Sequence, residues 1–415
     1  MARAKKETAL TPEERLQAAL VPDWEWPYKL PGNWCWLKLV ESFDNHTDSK
    51  KKIKQKDYLV KGKLAVVDQG QELIGGYTND VEKSYSGALP IVIFGDHTRC
   101  IKFVDFPFAQ GADGVKVLRP KPFYLPKAFY YALQSVNIPN FGYRRHFPLF
   151  NKFSIPLPPF AEQQRIVDRI ESLFAKLDEA KEKAQAVVDS FETRKAAILH
   201  KAFTGELTAK WREEHGVRME SWEQCALSDV CTVNPKKADT KDLPDELEVS
   251  FFPMPALSEI YGEITNPQTR LLKEVRSGFT NFSEGDVVFA KITPCMENGK
   301  SAVVGKLVND IGYGTTEFFV LRCSDRLYNR FLYHLVRDKL FRDKAKAVMA
   351  GAVGQQRVPK RYLETYKLNL PKFNEQREIV RILDGSFAKE QQTKETAEAV
   401  LGRIDPVSYT HLTLP

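Results

Sequence analysis

Residues 158–176 read PPFAEQQRIVDRIESLFAK, and residues 371–389 read PKFNEQREIVRILDGSFAK. These stretches lie 213 residues apart, and between 155–176 and 368–389 ten of twenty-two positions are identical. A weaker echo precedes each stretch, because Trp34 and Leu39 recur as Trp222 and Leu227 with the same spacing. Self-similarity of this kind indicates one structural unit used more than once. The sequence therefore predicts a globular segment followed by a helix, and then the same arrangement again.

The composition is typical of a soluble protein with more than one core. The chain has 415 residues, of which 43% are hydrophobic and 28% charged, and single cores rarely exceed roughly 300 residues. We expect neither a membrane span, which needs roughly 18 apolar residues, nor a secretory signal. The six cysteines form no CxxC pair, so we expect reduced thiols and no structural zinc. The net charge of +7 only weakly suggests a polyanionic partner.

The first repeated stretch predicts a long helix. Pro158 and Pro159 precede it, Glu162 falls in its first turn, and no further Pro or Gly occurs before Gly205. A helix of about 40 residues would be about 60 Å long. Apolar side chains recur in alternating steps of four and three, at Ile166, Ile170, Leu173, Leu177, Ala180, Ala184, Val187 and Phe191. This 3.5-residue period predicts a coiled coil with another helix.

The second repeated stretch, from about Asn374, predicts the partner helix. Its apolar positions on the same seam are Ile379, Leu383, Ala397, Val400 and Ile404. Polar residues occupy other seam positions, namely Ser386, Glu390 and Thr393. We therefore expect the two helices to pair, with a polar middle in the second.

The two globular segments, about 32–155 and 220–368, are predicted to be mixed α/β modules. Runs such as LAVV, LPIVIF, DVVFAKI, SAVVG and FFVL are typical of short strands between turn residues. Short helices are expected near PKAFYYALQS and NRFLYHLVRDKLFRDKAK. A further short helix is predicted at TPEERLQAAL, with Thr11 as its N-cap and Pro12 at its first position.

Motifs for catalysis are weak. VNDIGYGTTEFF resembles the glycine loop that holds S-adenosylmethionine, but a β-type run follows where that loop should open a helix. Asp178, Glu179 and Lys181 resemble part of a nuclease site but fall on the long helix, and we expect a solvated face there. No GxxxxGK[ST] sequence occurs, and GDHTR offers Asp96 and His97 without a nucleophile beside them.

Basic clusters favour a nucleic-acid partner more strongly. Five lysines crowd residues 50–56, and GYRRHFPLFNK and GQQRVPKR each precede one copy of the helix phrase, so that Arg144 corresponds to Arg357. Arg and Gln suit hydrogen bonding to guanine and adenine in the major groove, although each cluster alone is equally compatible with a solvated basic loop. The DNA-binding candidates are Lys50, Lys51, Lys52, Lys54, Arg99, Tyr143, Arg144, Arg145, Lys236, Lys237, Lys291, Gln355, Gln356, Arg357, Lys360 and Arg361.

Several of these strings together resemble the DNA-specificity subunit of type I restriction-modification systems. They are both helix phrases, WCWLKL, VVDQGQELIGGYTND, LPIVIFGDHTR, FSEGDVVFAKITPCMENGK and GYGTTEFFVLR, and they match in order from about Pro31 to Arg403. The resemblance implies an α+β fold in which two mixed α/β target-recognition domains are each followed by a long helix. It also implies that the two helices pack as an antiparallel coiled coil and that the repeat makes a pseudo-two-fold axis.

On this resemblance the chain divides into seven segments. They are an N-terminal helical extension (1–31), target-recognition domain 1 (32–157), a central spacer helix (158–204), a linker (205–219), target-recognition domain 2 (220–370), a C-terminal helix interpreted as truncated (371–406) and a tail (407–415). The tail, VSYTHLTLP after Pro406, resembles translated sequencing-adapter sequence. We therefore expect it to be non-native.

The resemblance further implies a cytoplasmic bacterial or archaeal protein that is not itself an enzyme. Its partners would be double-stranded DNA, two methyltransferase subunits and the restriction and translocase subunits. No cofactor would bind directly, because S-adenosylmethionine, ATP and Mg²⁺ would belong to those partners. The residues expected to form the helix seam or to dock partners are Ile166, Ile170, Leu173, Leu177, Phe191, Ile379 and Leu383.

Two alternatives stay open. The chain could be the recognition part of a fused restriction-methyltransferase, or a stand-alone DNA-binding scaffold without a methyltransferase partner. Neighbouring reading frames would distinguish the first alternative, and co-purification would distinguish the second.

Overall fold

A computed structural model describes residues 11–112, 114–259, 262–352 and 354–410, so the end of the predicted adapter-like tail lies outside the described residues. The chain forms two compact units: Met1–Ala184 with Ala399–Pro415, and Gln185–Glu398. Among the described helices, none has both the length and the apolar character that a bilayer span requires.

The helices are numbered in chain order. They are Pro12–Ala19 (α1), Pro126–Gln134 (α2), Phe160–Asp189 (α3), Phe191–Phe203 (α4), Ala209–Glu214 (α5), Leu272–Val275 (α6), Asn329–Arg337 (α7), Lys339–Ala347 (α8), Lys360–Thr365 (α9) and Phe373–Thr410 (α10). Short 3-10 turns join many of these elements.

The strands of the first unit are Cys35–Lys38 (β1), Phe43–Asn45 (β2), Leu64–Val67 (β3), Gly76–Thr78 (β4), Ile91–Gly95 (β5), Ile101–Val104 (β6), Phe108–Gln110 (β7), Val115–Pro120 (β8) and Ser154–Leu157 (β9). Those of the second unit are Glu223–Ala226 (β10), Cys231–Val233 (β11), Glu248–Phe252 (β12), Gln268–Leu271 (β13), Thr280–Phe282 (β14), Val287–Ala290 (β15), Ser301–Val303 (β16), Gly312–Gly314 (β17), Phe318–Cys323 (β18) and Lys367–Leu370 (β19).

The two modules, residues 32–157 (module 1) and 220–370 (module 2), share one topology, except that module 2 has an additional edge strand, β14. In module 1, β1 pairs with β9, an antiparallel sheet has the order β2-β8-β5-β6, and another sheet has the order β4-β3-β7 with β3 and β7 parallel. In module 2 the corresponding arrangements are β10 with β19, β11-β18-β15-β16, and β13-β12-β17-β14 with β12 and β17 parallel. The internal repeat in the sequence is therefore a repeat of strand order.

The central strands are buried on both faces, which explains their apolar sequences. Every residue of Ile91–Gly95 and of Val287–Ala290 is buried, because each strand lies between two others and carries packed side chains on both sides. Strands covered on both faces read as continuous apolar runs rather than as alternating ones. The predicted strands at LAVV, LPIVIF, DVVFAKI, SAVVG and FFVL are confirmed.

The glutamate of the repeated phrase anchors each helix to the start of its module. The indole Nε1 of Trp34 donates to Oε2 of Glu162 at 2.8 Å, and that of Trp222 donates to Oε2 of Glu375 at 2.9 Å. Both acceptors lie in the first turn of their helices, where the helix dipole favours a carboxylate. The weak tryptophan echo and the helix phrase are thus two halves of one contact, made twice.

The glutamine that follows clamps the loop before the module's own helix. The Gln163 side chain accepts from the backbone N–H of Leu125 at 2.8 Å and donates to the carbonyls of Phe123 and Pro158. Gln376 makes the same set of bonds, accepting from Tyr328 at 2.7 Å and donating to the carbonyls of Arg326 and Pro371. Both glutamines are buried, and their amides satisfy main-chain groups that would otherwise be left unpaired.

The helix expected over 158–204 divides into two helices at one residue, Ser190, across which helical hydrogen bonds continue: Ser190 N–H donates to the carbonyl of Ala186 at 3.1 Å, and Arg194 N–H donates to that of Ser190 at 3.0 Å. α3 ends at Asp189 and α4 begins at Phe191. Between them the ψ angle of Ser190 is −3°, and its hydroxyl donates back to the carbonyl of Ala186 at 2.5 Å. A serine bonded to the preceding turn in this way bends a helix. Neither Pro nor Gly was needed for the interruption, so the sequence pattern did not reveal it.

Within the second unit, α4 and α10 pack antiparallel. Arg194 Nε lies 2.7 Å from Glu390 Oε2, Lys394 lies over the Phe191 ring, and Lys195 lies over the Phe387 ring. Positions rise along α4 while their partners fall along α10, which fixes the direction. The predicted pairing is confirmed over this stretch, and the polar residue at seam position 390 has a basic partner.

The other seam residues differ in their environment. Ile379 and Leu383 are fully buried, but they pack in the core of module 2 with Leu199 and Ala202 of α4 rather than in a free-standing coiled coil. Leu173 is 45% exposed, contrary to the seam prediction. Ile166, Ile170 and Leu177 are half-buried, and Phe191 is buried.

The predicted linker, 205–219, is folded rather than extended. It contains α5, and Arg212 of that helix is buried against Glu375, with Nη1 2.7 Å from Oε1. Thr208 donates to the same oxygen at 2.8 Å. The carboxylate of the second helix phrase thus holds both the linker and module 2, which explains why these residues are ordered.

The structure also tests the predictions made for the N-terminal helix and for the glycine-containing stretch VNDIGYGTTEFF. α1 has the predicted cap, since Thr11 Oγ1 accepts from Glu14 N–H and the Glu14 carboxylate accepts from Thr11 N–H. The stretch VNDIGYGTTEFF does not open a helix, as a cofactor loop would. It forms strand β17, and a turn leads from β17 into β18. A Cβ on Gly312 would lie 2.2 Å from the Phe282 ring, so close packing explains this glycine.

Candidate nucleic-acid interface

In module 1, two loops meet beyond the end of β5. The first is the turn 96–100 between β5 and β6, and the second is the basic stretch 140–147 that precedes β9. Buried His146 joins them, since its N–H donates to the carbonyl of Asp96 at 2.8 Å and its Nδ1 lies 3.0 Å from the same oxygen. The Asp96 carboxylate accepts from Phe147 N–H at 2.7 Å. The base of the basic loop is therefore rigidly attached to the sheet.

The outer part of this loop presents aromatic and basic side chains to solvent. Tyr143 is 81% exposed, and its ring stacks on His97 with centroids 4.5 Å apart. Phe141 is 54% exposed. Arg144 and Arg145 are exposed, and neither guanidinium forms an ion pair or side-chain hydrogen bond with another described residue. Such a surface can contact phosphates through the arginines and bases or sugars through the rings.

Module 2 brings the equivalent loops together. Here the turn 291–300 joins β15 and β16, and the stretch 350–358 precedes α9 and β19. Thr293 N–H donates to the carbonyl of Gln356 at 3.0 Å, and Val358 N–H donates to the carbonyl of Lys291 at 2.9 Å. Gln355 is exposed and Gln356 is half-buried. Candidates that lie far apart in sequence thus lie together in space, at the same place in each module.

Arg357, which corresponds to Arg144, is engaged within the protein. Its Nη2 lies 2.7 Å from Oε1 of Glu317, and its Nε lies 2.9 Å from Oε2. The hydrogen bonds from Arg357 lower the pKa of the Glu317 carboxyl. Paired arginine and carboxylate groups of this geometry restrict each other's orientation. Direct base contact by Arg357 would therefore require Glu317 to be displaced. Arg144 would not have to leave a carboxylate among the described residues in order to contact a base.

The remaining candidates are bonded to other groups of the protein, exposed to solvent or half-buried. Arg99 and Lys51 are used within the fold, since they donate to the carbonyls of Ile138 and Ser84 at 2.8 and 3.1 Å. Lys360 forms an ion pair with Glu364 at 2.9 Å. Exposed members are Lys50, Lys54, Lys236, Lys237 and Arg361, whereas Lys52 and Lys291 are half-buried. The structure does not gather the lysines of 50–56 with the 140–147 loop into any described contact.

Sequence reasoning missed the residues that support these loops. Asp96 was considered only with His97, without a nucleophile beside them, and His146 only as part of a basic stretch, yet the buried Asp96 and His146 hold the loop. Their position, directly after a buried strand and at the end of a basic stretch, was the available indication. Nothing in the sequence pointed to Glu317. Among the described residues, no cluster of His, Cys, Asp and Glu is arranged to hold a metal ion.

The chain has relatives among known proteins. Residues 32–188 and 219–400 match the family described as type I restriction modification DNA specificity domain. The chain is 36% identical over 171 residues to the type I restriction enzyme EcoEI specificity subunit of Escherichia coli, covering 41% of this chain and 28% of that protein. It is 37% identical over 162 residues to the EcoAI specificity subunit of the same species, covering 39% of this chain and 27% of that protein. The matched part thus spans little more than a quarter of those relatives.

The fold also resembles a solved structure. The HsdS subunit from Thermoanaerobacter tengcongensis aligns with a TM-score of 0.54 and 19% identity, covering 92% of this chain and 98% of that one. This likeness concerns the fold. Because the family match covers both modules and most of both helix phrases, the chain belongs to the family of type I restriction modification DNA specificity domains.

Proposed function

We propose that this chain is the DNA-specificity subunit of a type I restriction-modification complex, in which each module reads one half of a bipartite DNA site. The observation that carries the proposal is the recurrence of one loop pair at one position in both modules. Each pair combines a turn between a central strand and an edge strand with a basic stretch before the last strand. Two such surfaces on one chain suit two half-sites.

Recognition would divide between phosphates and bases. Exposed Arg144 and Arg145, with Lys236 and Lys237, are placed to neutralise phosphates, and each neutralised phosphate would steepen the salt dependence of binding. Tyr143 and Gln355 are the exposed side chains suited to contacts with sugars or base edges. Arg357 would instead hold the shape of its loop through Glu317.

The helices would space the modules and dock other subunits. We infer two methyltransferase subunits on this chain, joined by the restriction and translocase subunits, in the cytoplasm of a bacterial or archaeal cell. S-adenosylmethionine, ATP and Mg²⁺ would be bound by those partners, and this chain would contribute recognition without catalysis. The two identical partners would correspond to the repeated Trp–Glu and glutamine contacts at the start of α3 and α10.

The test is the pattern of methylated DNA sites produced by the chain expressed with the methyltransferase encoded beside it. Arg144→Ala should weaken methylation at one half-site only, because a phosphate contact is lost while the bases recognised stay the same. Arg357→Ala should weaken methylation and relax recognition at the other half-site only, because its loop would no longer be held by Glu317. Lys344→Ala, an exposed change on α8, is the control.

Unchanged methylation at both half-sites in both variants would remove these loops from the interface. Failure of the chain to co-purify with that methyltransferase would favour a stand-alone DNA-binding scaffold. A single upstream reading frame that continues into this one would favour the fused restriction-methyltransferase.

A further inference from the structure

A charged cleft in the second unit borders one of the loops described above, the turn 291–300, but not the stretch 350–358. It is bordered by α4, by the 297–299 part of the β15–β16 turn, and by α7 and α8. Its volume is about 520 Å³, which is within the range of clefts that hold small ligands. It lies entirely within one compact unit.

Some charges around the cleft neutralise each other. Lys346 Nζ lies 2.5 Å from Glu297 Oε2, and Lys339 Nζ lies 2.5 Å from Asp343 Oδ2. Glu259 also borders the cleft, and its Oε1 lies 3.6 Å from Lys300 Nζ, so these three carboxylates each have a basic partner. The basic groups deeper in the cleft decide its electrostatic character.

Two arginines point at main-chain carbonyls. Arg337 donates through Nη1 to Gly299 at 3.0 Å and through Nη2 to Glu259 at 2.8 Å. Arg342 donates through Nε to the carbonyl of Arg337 at 3.2 Å and through Nη1 to that of Glu297. The carbonyl oxygens around Arg342 fix the orientation of its guanidinium but do not cancel its charge.

Lys195 of α4 adds a third positive charge. Its ammonium lies 5.9 and 5.7 Å from the ring centroids of Phe191 and Phe387. Within the described part of the chain, neither Lys195 nor Arg342 has a carboxylate within ion-pair distance.

The pKa values of Lys195 and Arg342 are both lowered, as expected where positive charges lie close together. Burial and then the charge of Arg337 lower the pKa of Lys195, and the same two causes lower that of Arg342. Glu192, which also borders the cleft, acts in the opposite direction on both groups without reversing either shift. Buried positive charge without a paired anion is costly.

We propose that this cleft binds a phosphate group, held by Lys195, Arg337 and Arg342. Planar guanidinium groups together with a lysine ammonium are the donor set that suits a tetrahedral oxyanion with several acceptor oxygens. The phosphate belongs either to the DNA backbone or to a free phosphorylated small molecule. The site shares residues 297–299 with the turn of the proposed DNA-reading loop pair, but neither basic stretch, 140–147 or 350–358, borders it, so phosphate binding here can be tested separately from DNA reading.

The test is calorimetric titration of the full chain with pyrophosphate. Lys195→Met removes the charge and keeps a flexible side chain between the two rings, and Lys344→Met is the matched control on an exposed face of α8. Loss of one charged contact should weaken binding by about tenfold or more. We expect that loss in the Lys195 variant and wild-type affinity in the Lys344 variant, with unchanged circular dichroism in both. Equal affinities in the two variants, or no binding by the wild-type chain, would overturn the proposal.

A competition experiment identifies the source of the phosphate. If duplex DNA displaces pyrophosphate from the wild-type chain, the site takes the DNA backbone. If pyrophosphate stays bound beside saturating DNA, the site takes a separate phosphorylated ligand. If the chain binds no DNA at all, the proposed function fails while pyrophosphate binding still decides the fate of this site.

Discussion

At the scale of single residues, the sequence showed the repeated phrase but not the hydrogen bonds and the ion pair that its glutamates form. Glu162 and Glu375 were recognisable as first-turn carboxylates, and the recurrence of Trp34 as Trp222 was visible. The hydrogen bond between them could not be predicted, because it joins residues more than a hundred positions apart. The burial of Arg212 against Glu375 was equally hidden, since a basic residue in a polar linker is normally solvated.

The two glutamates should differ in their importance for stability. Glu375→Ala should lower the free energy of unfolding by about 3 to 5 kcal/mol, because it leaves the buried Arg212 without its carboxylate. Glu162→Ala should cost less, since that carboxylate is more exposed, its partners Asn33 and Trp34 are neutral, and its one basic partner, Arg165 at 3.8 Å, is itself exposed. Urea unfolding of the full chain measures both. Adding Arg212→Met to Glu375→Ala should recover much of the loss, and equal losses in the two single variants would contradict this reading.

A buried histidine should make the second unit sensitive to acid. Burial lowers the pKa of His334 below its usual 6.5, although Asp384, at 3.1 Å, acts in the opposite direction. The unfolded chain then binds a proton at a higher pH than the folded chain does. Stability is therefore full above about pH 6.5 and falls as the pH decreases below it, by at most about 1.4 kcal/mol per pH unit.

Thermal unfolding between pH 7.5 and 5 tests this dependence. His334→Gln, which can still donate to Asp384, should flatten the decline in that range. Burial raises the pKa of Asp384, but hydrogen bonds and charges from His334 and Arg330 lower it overall, so its own contribution is lost only at much lower pH. An identical decline in wild type and variant would exclude His334 as the cause.

At the scale of elements, the sequence predicted most helices and strands but not their interruptions. The apolar period located α3 and α10 and the side on which they pack. Ser190, whose hydroxyl bonds back to the preceding turn, lies at the one-residue break between α3 and α4, a local feature that hydrophobic periodicity does not report. Leu173 satisfied the period yet stays exposed, because a seam position is buried only where a partner covers it.

The antiparallel register of α4 and α10 can be tested by exchanging charges. Arg194→Glu should destabilise the second unit, because the carboxylate introduced at position 194 would lie beside that of Glu390. Combining it with Glu390→Arg should restore roughly 0.5 to 1 kcal/mol, a value limited by partial exposure of the pair. A double-mutant cycle by urea unfolding gives this coupling energy. No coupling between the two positions would contradict the register.

At the scale of the whole molecule, the repeat determined the architecture before any strand was located. Two copies of a phrase predicted two modules with two helices, and the strand orders agree. The paired loops of each module could not be predicted, since turn 96–100 and stretch 140–147 become neighbours only through the sheet. The family match extends the same reading to both halves of the chain.

The most direct test of the account is the spacing of the recognised DNA half-sites. Seven residues inserted into α3 within 178–189 lengthen the helix by about 10 Å, or roughly three base pairs of DNA. Methylation mapping should then show the same two half-sites separated by more unread bases. The same insertion at the exposed turn after Val60 should leave the separation unchanged. An unaltered separation in the α3 variant, with methylation retained, would contradict the claim that helices set the distance between two DNA-reading modules.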